Sequence, residues 1–386
     1  MKILHVFDIF SPHGGGTAES ISKLSLALVK RGHEVTIYTT DFKLDEVYIG
    51  NLQGIKVYPF RCLSSLAGFY FTPDIAGTIK KELSSFDIIH LHCYRSYQNI
   101  LIHRYASKYN IPYIVDAHGS LSRTIGGKSR IEALLKWFFD LAFGFRILRD
   151  AKRVIAETEA GISEYEELGI KGDRVVIIAP PFAIEDFSQL PTPGLFRQKH
   201  GLQKKSLVLF LGRIHYIKGL DFLVESFYEL TKSRNNVILA IVGNDDGYRL
   251  KLERLVNKLA LSEKVLFPGF LFGNEKLSAL VDADVVVQTS RYEHGTVVPF
   301  EAVLCNTPII VSKNTSASEN VRKIDAGYLV EYGNKQELKE TLQYVLDHPS
   351  EARQKTQRAK EYIEANLSSE KVIEKYERLY AECIAR

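Results

Sequence analysis

Two carboxylates and a predicted helix start lie within one short stretch of this sequence. Residues 289–302 read TSRYEHGTVVPFEA and follow an apolar strand predicted at 284–288. Thr296 is the expected helix cap, and Pro299 fits the first helical turn because no backbone donor is lost there. The free N–H groups at such an end attract anions, above all phosphate. The stretch therefore predicts an anion site.

Glu293 precedes that helix, and Glu301 lies about one turn inside it. Because a carboxylate repels a phosphate, these two side chains need another purpose. Acidic residues accept hydrogen bonds from hydroxyls, as they do from a nucleotide ribose. One anion site flanked by two hydroxyl acceptors indicates a nucleotide sugar as the ligand.

Arg213 and Lys218 belong to a second element, residues 212–219, which reads GRIHYIKG and follows a strand predicted at 206–212. Ligands of doubly wound sheets bind at the carboxyl ends of strands. A guanidinium binds phosphate in a bidentate way and an ammonium adds a point charge, so the two could neutralise a diphosphate. The alternative is a pair of solvated surface cations.

The first half of the chain has further candidates that follow predicted strands. The three glycines at 14–16 form either a tight turn or a loop whose missing side chains let a ligand reach the backbone. His118 either bonds a sugar hydroxyl or phosphate oxygen or is a structural histidine. His90, His92 and Asp116 are interpreted as structural.

Strands alternate with amphipathic helices along the chain, which predicts an α/β protein of two doubly wound, parallel-sheet domains. A proline-rich stretch at 180–194 marks the boundary. The first helix is expected to begin at Thr17, and the chain from 336 onward is expected to be helical. The predicted strands lie at 3–10, 34–39, 55–59, 87–92, 112–118 and 153–156, and then at 206–212, 237–243, 265–268, 285–288 and 308–311. The expected domains are 1–182 and 201–366, with a linker at 183–200 and a last helix at 367–386.

Composition narrows the class of protein. The net charge of +4 over 386 residues is far from a nucleic-acid signature, so no nucleic-acid partner is expected. Four distant cysteines without a CxxC pair indicate reduced thiols in a cytoplasmic protein. The first apolar run is too short for a spanning helix and lacks a cleavage site, so no signal peptide is expected. The paired aspartates at 245–246 and at 282 and 284 fit turns better than metal ligands. No metal or cofactor is expected.

Residues 126–149 predict an apolar helix with basic side chains interspersed. Leu134, Phe138 and Phe145 keep helical spacing, while Trp137 widens the apolar stripe. Two interpretations stand. The helix is either a broad face buried against the sheet or a basic, aromatic helix at the cytoplasmic surface of a membrane.

The glycine loop, the His-Gly at 118–119, the Gly-Arg…Lys-Gly at 212–219 and the spaced glutamates together resemble the retaining GT-B glycosyltransferases of family 4. The resemblance covers nearly the whole chain, and its specific part is the glutamate pair with the cationic element. It implies two Rossmann-like domains facing a central cleft, with the C-terminal helix crossing back to the first. It also implies transfer of a sugar, with retention of configuration and without a metal, from a UDP- or GDP-sugar. The acceptor would be a glycan, a lipopolysaccharide or a lipid-linked molecule.

The resemblance also implies roles for residues. Arg213 and Lys218 would hold the diphosphate and stabilise the leaving group, while His118 and Glu293 would contact the donor sugar. The residues implied in substrate binding are Gly15, Gly16, Glu293, Gly295, Thr296, Val297 and Glu301. Family members commonly have Phe-Gly two and three residues after the first glutamate, where this chain has Gly295 and Thr296.

Other functions on this architecture are a nucleotide-sugar epimerase or phosphorylase, an NAD-dependent dehydrogenase and a non-catalytic sugar-binding protein. The absence of GxGxxG disfavours the dehydrogenase, and the intact set of cations and glutamates disfavours the non-catalytic protein. Retaining hydrolases need two carboxyls about 5 Å apart. Eight residues of helix would separate Glu293 and Glu301 by about 12 Å, so both are interpreted as binding groups.

Overall fold

The computed structural model describes residues 1–66, 68–121, 130–179, 184–293, 296–367 and 369–385. The chain divides into two compact units. The first comprises Met1–Phe182 with Ser369–Arg386, and the second comprises Ala183–Ser368. Each unit has its own parallel sheet and its own hydrophobic core.

The sheet of the first unit is parallel throughout. The strands of the first unit are β1 Lys2–Val6, β2 Glu34–Thr40, β3 Ile55–Phe60, β4 Ser64–Leu66, β5 Phe69–Phe71, β6 Ile88–His92, β7 Tyr113–Asp116, β8 Arg153–Ala156 and β9 Val175–Ile177. Seven of them pair in the order β3-β2-β1-β6-β7-β8-β9, while β4 and β5 form a separate antiparallel hairpin. Strand β6 is buried along its whole length, as expected for a central strand with both faces covered.

Helices cover this sheet. They are α1 Gly15–Lys30, α2 Glu46–Gly50, α3 Ile75–Glu82, α4 Tyr97–Tyr109, α5 Arg130–Phe139, α6 Phe145–Asp150, α7 Ala160–Glu167 and the C-terminal α16 Ser369–Ile384. A π-helical turn, Asp140–Gly144, joins α5 to α6. Helix α16 packs Val372, Tyr376 and Tyr380 against the buried isoleucines Ile3 and Ile88, so the end of the chain completes the core of the first unit.

The second unit repeats the pattern with six strands. They are β10 Ser206–Leu211, β11 Val237–Val242, β12 Val265–Gly269, β13 Val285–Gln288, β14 Ile309–Ser312 and β15 Gly327–Val330, in the parallel order β12-β11-β10-β13-β14-β15. The helices are α8 Leu195–Lys199, α9 Leu220–Thr231, α10 Arg249–Lys258, α11 Gly273–Asp282, α12 Val298–Leu304, α13 Ser316–Lys323, α14 Lys335–Asp347 and α15 Pro349–Asn366. Helix α8 lies within the stretch expected to be a linker. Among the described helices of both units, none is long and apolar enough to cross a membrane.

Several predicted boundaries were wrong. Strand β1 ends at Val6, whereas Phe7 and Phe10 are core residues in one cluster with Ala18 of α1, so their apolarity reflects burial outside the strand. Helix α1 begins at Gly15, which places Thr17 inside the helix and not at its cap. Strand β7 stops at Asp116, and β9, β15 and the hairpin were missed because three or four residues carry little periodic signal.

The helices of the second half also differ from expectation. Val297 is the N-cap of α12 and makes no side-chain capping bond, so Thr296 lies one residue too early to cap it. The chain from 336 onward is helical, and its last helix is α16, close to the expected bounds. The segment before it forms two helices, α14 and α15, because Pro349 occupies the first turn of α15 and starts a new helix.

Candidate active site

The ion pair of Lys218 and Glu293 is the centre of the candidate site in the second unit. Lys218 follows β10 and Glu293 follows β13, and these two strands are neighbours in the sheet. The Lys218 Nζ lies 2.5 Å from Glu293 Oε2, and the side chains are only 11% and 8% exposed. The Ser290 hydroxyl donates to the same oxygen at 2.8 Å. An ammonium and a carboxylate are thus held at the edge of the sheet where ligands of such domains bind.

Arg291 fastens the two loops that carry this pair. Its guanidinium lies over the ring of Tyr216, 3.9 Å from the centroid, and donates a hydrogen bond to Asp221 at 2.6 Å. Burial opposes the charged form of Arg291, but the hydrogen bond and the charge of Asp221, together with Tyr332 and Tyr216, outweigh it and raise the pKa of the guanidinium. Arg291 therefore stays charged and locks the turn of Lys218 against the loop of Glu293.

Two glycines allow the backbones to meet there. Gly219 has φ +62°, and a Cβ at this residue would lie 2.1 Å from the carbonyl oxygen of Thr289. Gly243 follows β11, and its Cβ would lie 1.8 Å from the carbonyl oxygen of Gly212. Any side chain at either position would push apart the loops that follow neighbouring strands.

Glu301 is buried on α12 and has a cation of its own. Lys276 of α11 donates to Glu301 Oε1 at 2.8 Å, and the carboxyl side chain is 5% exposed. Thr296 and Val297 are partly buried just before α12, whereas the predicted contact at Gly295 lies outside the described residues. Helix α12 is seven residues long, so its N-terminus offers a short dipole.

Arg213 differs from Lys218 in exposure. Its side chain is 56% exposed and forms an ion pair with Asp246, with 2.8 Å between Nη1 and Oδ2. Such surface pairs contribute little stability, so the guanidinium can exchange its partner at low cost.

His118 sits at the end of β7 in the first unit, inside a network of hydrogen bonds. Its backbone is left-handed, with φ +45°. Nδ1 lies 2.9 Å from Glu157 Oε1 and 3.5 Å from Asp116 Oδ1, while Nε2 lies 2.9 Å from Nδ1 of His92. Burial disfavours the imidazolium, but Asp116 and then Glu157 outweigh it and raise the pKa of His118. Both ring nitrogens of His118 are therefore already engaged.

The glycine loop opens α1 beside free space. A Cβ at Gly15 or Gly16 would meet no described atom within 4 Å, and Gly15 has φ +64°. The positive φ explains one glycine as a turn residue, and the open surroundings of both are what a ligand approaching the backbone would need.

Two groups in the first unit have the chemistry of metal ligands. Ligand atoms of His5, His90 and His92, and those of Asp116 with His118 and Glu157, lie within 4.8 Å of one another. Several of these atoms already hydrogen-bond to each other, and the expectation that no metal is required stays a prediction.

Family models cover both halves of the chain. Residues 194–362 match the model for glycosyl transferases group 1, and residues 14–185 match the model for Glycosyltransferase Family 4. The chain belongs to the group 1 glycosyltransferases. The expected family and enzyme class are thereby confirmed.

Relatives of this glycosyltransferase are distant but extend along most of its length. N-acetyl-alpha-D-glucosaminyl L-malate synthase of Bacillus anthracis is 24% identical over 96% of this chain and 94% of the relative. Alpha-monoglucosyldiacylglycerol synthase of Streptococcus pneumoniae is 25% identical over 81% of this chain and 71% of the relative. The crystal structure of Anabaena HepE with UDP and glucose superimposes with a TM-score of 0.81 at 19% identity, covering 99% and 100% of the two chains. The predicted GT-B fold class is confirmed.

Within the second unit of the glycosyltransferase, Lys218 and Glu293 are in direct contact, and Arg213 and Glu301 lie on elements of the same sheet edge, each with another partner. In the first unit His118 and the glycine loop follow strands β7 and β1. Sequence reasoning missed Arg291 and Lys276, whose types and positions carry no motif. It also set His92 aside as structural, although the motif His90-Leu91-His92 places an imidazole beside His118.

Proposed function

We propose that this glycosyltransferase moves a sugar from a UDP- or GDP-sugar to a glycan, lipopolysaccharide or lipid-linked acceptor, with retention of configuration. The observation that carries the proposal is the buried Lys218–Glu293 pair, with Glu301 and Arg213 on the same sheet edge. Cations suit a diphosphate and carboxylates suit sugar and ribose hydroxyls. The HepE structures hold UDP and, in one case, UDP-glucose, which supports a nucleotide-sugar donor here.

In the proposed reaction the acceptor hydroxyl attacks the anomeric carbon from the face that the nucleoside diphosphate leaves. A bond forms between the acceptor oxygen and the anomeric carbon, and the bond between that carbon and the phosphate oxygen breaks. The hydroxyl proton passes to the departing diphosphate. Lys218 and Arg213 stabilise the charge that develops on the leaving group. Glu293 is bound by Lys218 and Ser290, so it acts as a binding group and not as the nucleophile.

Substitution of the two cations tests this assignment. Removing one charge-stabilising donor typically costs ~10²–10³ in turnover, and we expect losses of this order for Lys218→Ala and Arg213→Ala. Lys232→Ala is the matched control, because Lys232 pairs with Glu229 on the surface of the same unit. Near-normal transfer by either site variant would contradict the proposal.

Product analysis separates transfer from the alternative activities. Nucleotide release from UDP- or GDP-sugars should require an acceptor, and the anomeric proton coupling of the product should match that of the donor. A nucleotide-sugar epimerase would change the donor without acceptor, and a phosphorylase would need phosphate. An inverted product would refute retention alone.

The proposal includes contact with the cytoplasmic face of a membrane. The faces of α5 and the following π-turn that were expected to be either buried or interfacial carry six large exposed apolar side chains: Leu134, Leu135, Trp137, Phe138, Leu141 and Phe143. Phe69 of the β4–β5 hairpin packs on Phe139 with ring centroids 6.2 Å apart, and Leu66 at the hairpin end is 74% exposed. The hairpin and α5 are therefore neighbours, and both carry exposed apolar side chains.

Positive side chains lie close in sequence to these apolar residues. Arg61, which follows β3, and Arg146 and Arg149 on α6 are exposed, and Lys136 on α5 is partly exposed. Lys136 pairs with Glu132, and Arg149 pairs with Asp150. Aromatic residues with flanking cations suit the interface of an anionic bilayer. Exposed arginines such as Arg61 and Arg146 favour an anionic membrane over an uncharged apolar partner.

Vesicle sedimentation tests the membrane contact. Leu134→Glu and Leu66→Glu should each weaken binding to phosphatidylglycerol-containing vesicles about tenfold, since each forfeits ~1–2 kcal/mol of apolar burial. Leu250→Glu is the matched control, because Leu250 is 61% exposed on the second unit against 57% for Leu134. Equal binding by Leu134→Glu and the control, or no binding by the wild type, would overturn this part.

A further inference from the structure

A continuous chain of hydrogen bonds links His118 to the core of the first unit. His5 Nδ1 lies 2.8 Å from His92 Nε2, His92 Nδ1 lies 2.9 Å from His118 Nε2, and His118 Nδ1 lies 2.9 Å from Glu157 Oε1. The sheet register explains the alignment, because His5 of β1 pairs with His90 of β6, and His92 follows two residues later on the same face.

We propose that His92, and through it His5, are positioning residues that set the tautomer and the charge of His118. The inference rests on the proposed function only for its consequence in sugar transfer. The hydrogen-bond chain itself follows from the geometry.

The protons along the hydrogen bonds from His5 to Glu157 can be distributed in two ways, which differ in the charge of His118. Each nitrogen–nitrogen hydrogen bond holds one proton, and each neutral imidazole carries one. With Glu157 ionised, His118 Nδ1 keeps its proton. When His118 is neutral, its Nε2 accepts from His92 Nδ1, and His92 Nε2 accepts from His5 Nδ1. The outer nitrogen of His5 then holds a lone pair.

Charging His118 reverses every bond beyond it. The charged state holds one proton more than the neutral state, taken from solvent. In it His118 Nε2–H donates to His92 Nδ1, His92 Nε2–H donates to His5 Nδ1, and His5 Nε2 bears a proton. One proton enters and the imidazolium forms at His118, while His92 and His5 remain neutral in the opposite tautomers. His5 Nε2 is buried without a partner among the described residues, so no described group there favours one tautomer of His5 over the other.

The charged groups around His118 make this state matter. Asp116 and Glu157 face its Nδ1, and His92 faces its Nε2. With both carboxylates ionised, the group of three would carry a net charge of −1 when His118 is an imidazolium and −2 when it is neutral. Burial, reinforced by the neighbouring His90 and His5, holds the pKa of His92 well below its ordinary value. A neutral His92 can therefore relay a proton without competing for the charge.

In the proposed reaction the donor sugar develops positive charge as the diphosphate leaves, and His118 is predicted to contact that sugar. A fixed net charge at the end of β7 would hold the electrostatic field there constant. His92 contributes by keeping the imidazolium bonded at both nitrogens, so the ring cannot rotate away.

The test is the titration of His118, followed by NMR of the labelled imidazole carbons in the full chain without substrate. His92→Leu removes the acceptor for the charged Nε2–H, and the pKa of His118 should fall by about one unit. His92→Asn keeps a carboxamide where Nδ1 stood, so the pKa should stay near that of the wild type. His103→Gln is the control, since His103 pairs with Asp150 and takes no part in the hydrogen bonds that link His5, His92 and His118.

His5→Leu is the decisive variant, because His5 makes its ring bond to His92 and none to His118. A relay predicts a smaller but measurable fall in the pKa of His118, whereas mere packing predicts none. The pH profile of transfer should shift in the same direction. If the titration of His118 is unchanged in both folded variants, His92→Leu and His5→Leu, the proposal that His92 and His5 set the charge of His118 is refuted. A shifted titration with an unmoved pH profile overturns only its role in transfer and leaves the proposed function standing.

Discussion

The Lys218–Glu293 pair gives the sharpest prediction about stability. Both side chains are about nine-tenths buried, so removing one leaves a charge in a poorly solvated site. Breaking such a pair by deleting one partner costs ~3–5 kcal/mol. For Lys218→Met we expect the lower end, about 3 kcal/mol, because Ser290 still donates to the stranded carboxylate. Methionine keeps the length of the apolar stem, which limits the effect to the lost charge.

The second half of the cycle is Glu293→Gln. The amide oxygen can still accept from Lys218, so the expected cost is about 1–2 kcal/mol. In the double variant no charge remains unpaired, and its cost should fall short of the sum of the two single costs by about 1–2 kcal/mol. Lys232→Met is the matched control. Its ion pair with Glu229 is exposed, so the change should stay within about 0.5 kcal/mol.

The single tryptophan makes the assay specific to one unit. Trp137 lies on α5 of the first unit, so tryptophan fluorescence follows that unit alone, while far-ultraviolet circular dichroism follows both. Urea unfolding of the full chain should show a transition that moves to lower urea by dichroism but not by fluorescence. A Lys218→Met transition within error of the Lys232→Met control would refute the inference that the pair is a desolvated contact.

Three further outcomes are expected. Burial raises the pKa of Asp8 to about 7, with only partial relief from Ser96. The folded state keeps a proton on Asp8 that the unfolded chain releases near pH 4. The contribution of Asp8 to stability is therefore complete below that pH and is lost as the pH rises to about 7. Because asparagine has no such proton to lose, the melting point of Asp8→Asn should exceed that of the wild type by more at pH 8 than at pH 5. Gly219→Ala should cost at least ~2 kcal/mol in urea unfolding, because its Cβ collides with a backbone carbonyl at positive φ. Lys276→Met should raise the KM for the nucleotide sugar more than it lowers kcat, since it frees Glu301 from its fixed position.

Much of the fold could be predicted because local pattern and final structure agree. The apolar runs that became β10, β11 and β13 are buried on both faces, and such strands are visible as continuous hydrophobic stretches. The chemistry-bearing residues could be found for a related reason. They follow strands directly, and parallel strands bring their carboxyl ends to one edge.

The partners of those residues could not be predicted. Arg291 reaches Asp221 across 70 positions, and Lys276 reaches Glu301 across 25, so neither contact leaves a local signal. The bond between His92 and His118 depends on the pairing of β6 with β7, which a sequence pattern does not specify. The predicted end of β1 was wrong because Phe7 and Phe10, which are buried outside the strand, extend its apolar pattern.

The pairing of the cations bears on how a diphosphate would bind. Both predicted phosphate ligands of the second unit already hold a carboxylate, Asp246 in one case and Glu293 in the other. The exposed Arg213 pair can be exchanged for phosphate at little cost. The buried Lys218 pair cannot, because separation would strand Glu293. Lys218 should therefore donate its remaining protons to phosphate while it stays bonded to Glu293. Both Lys218 and Ser290 donate to Oε2 of that carboxylate. Among the contacts of the described residues, Oε1 of Glu293 is left to a sugar hydroxyl, so one ion pair can serve the phosphate and the sugar at once.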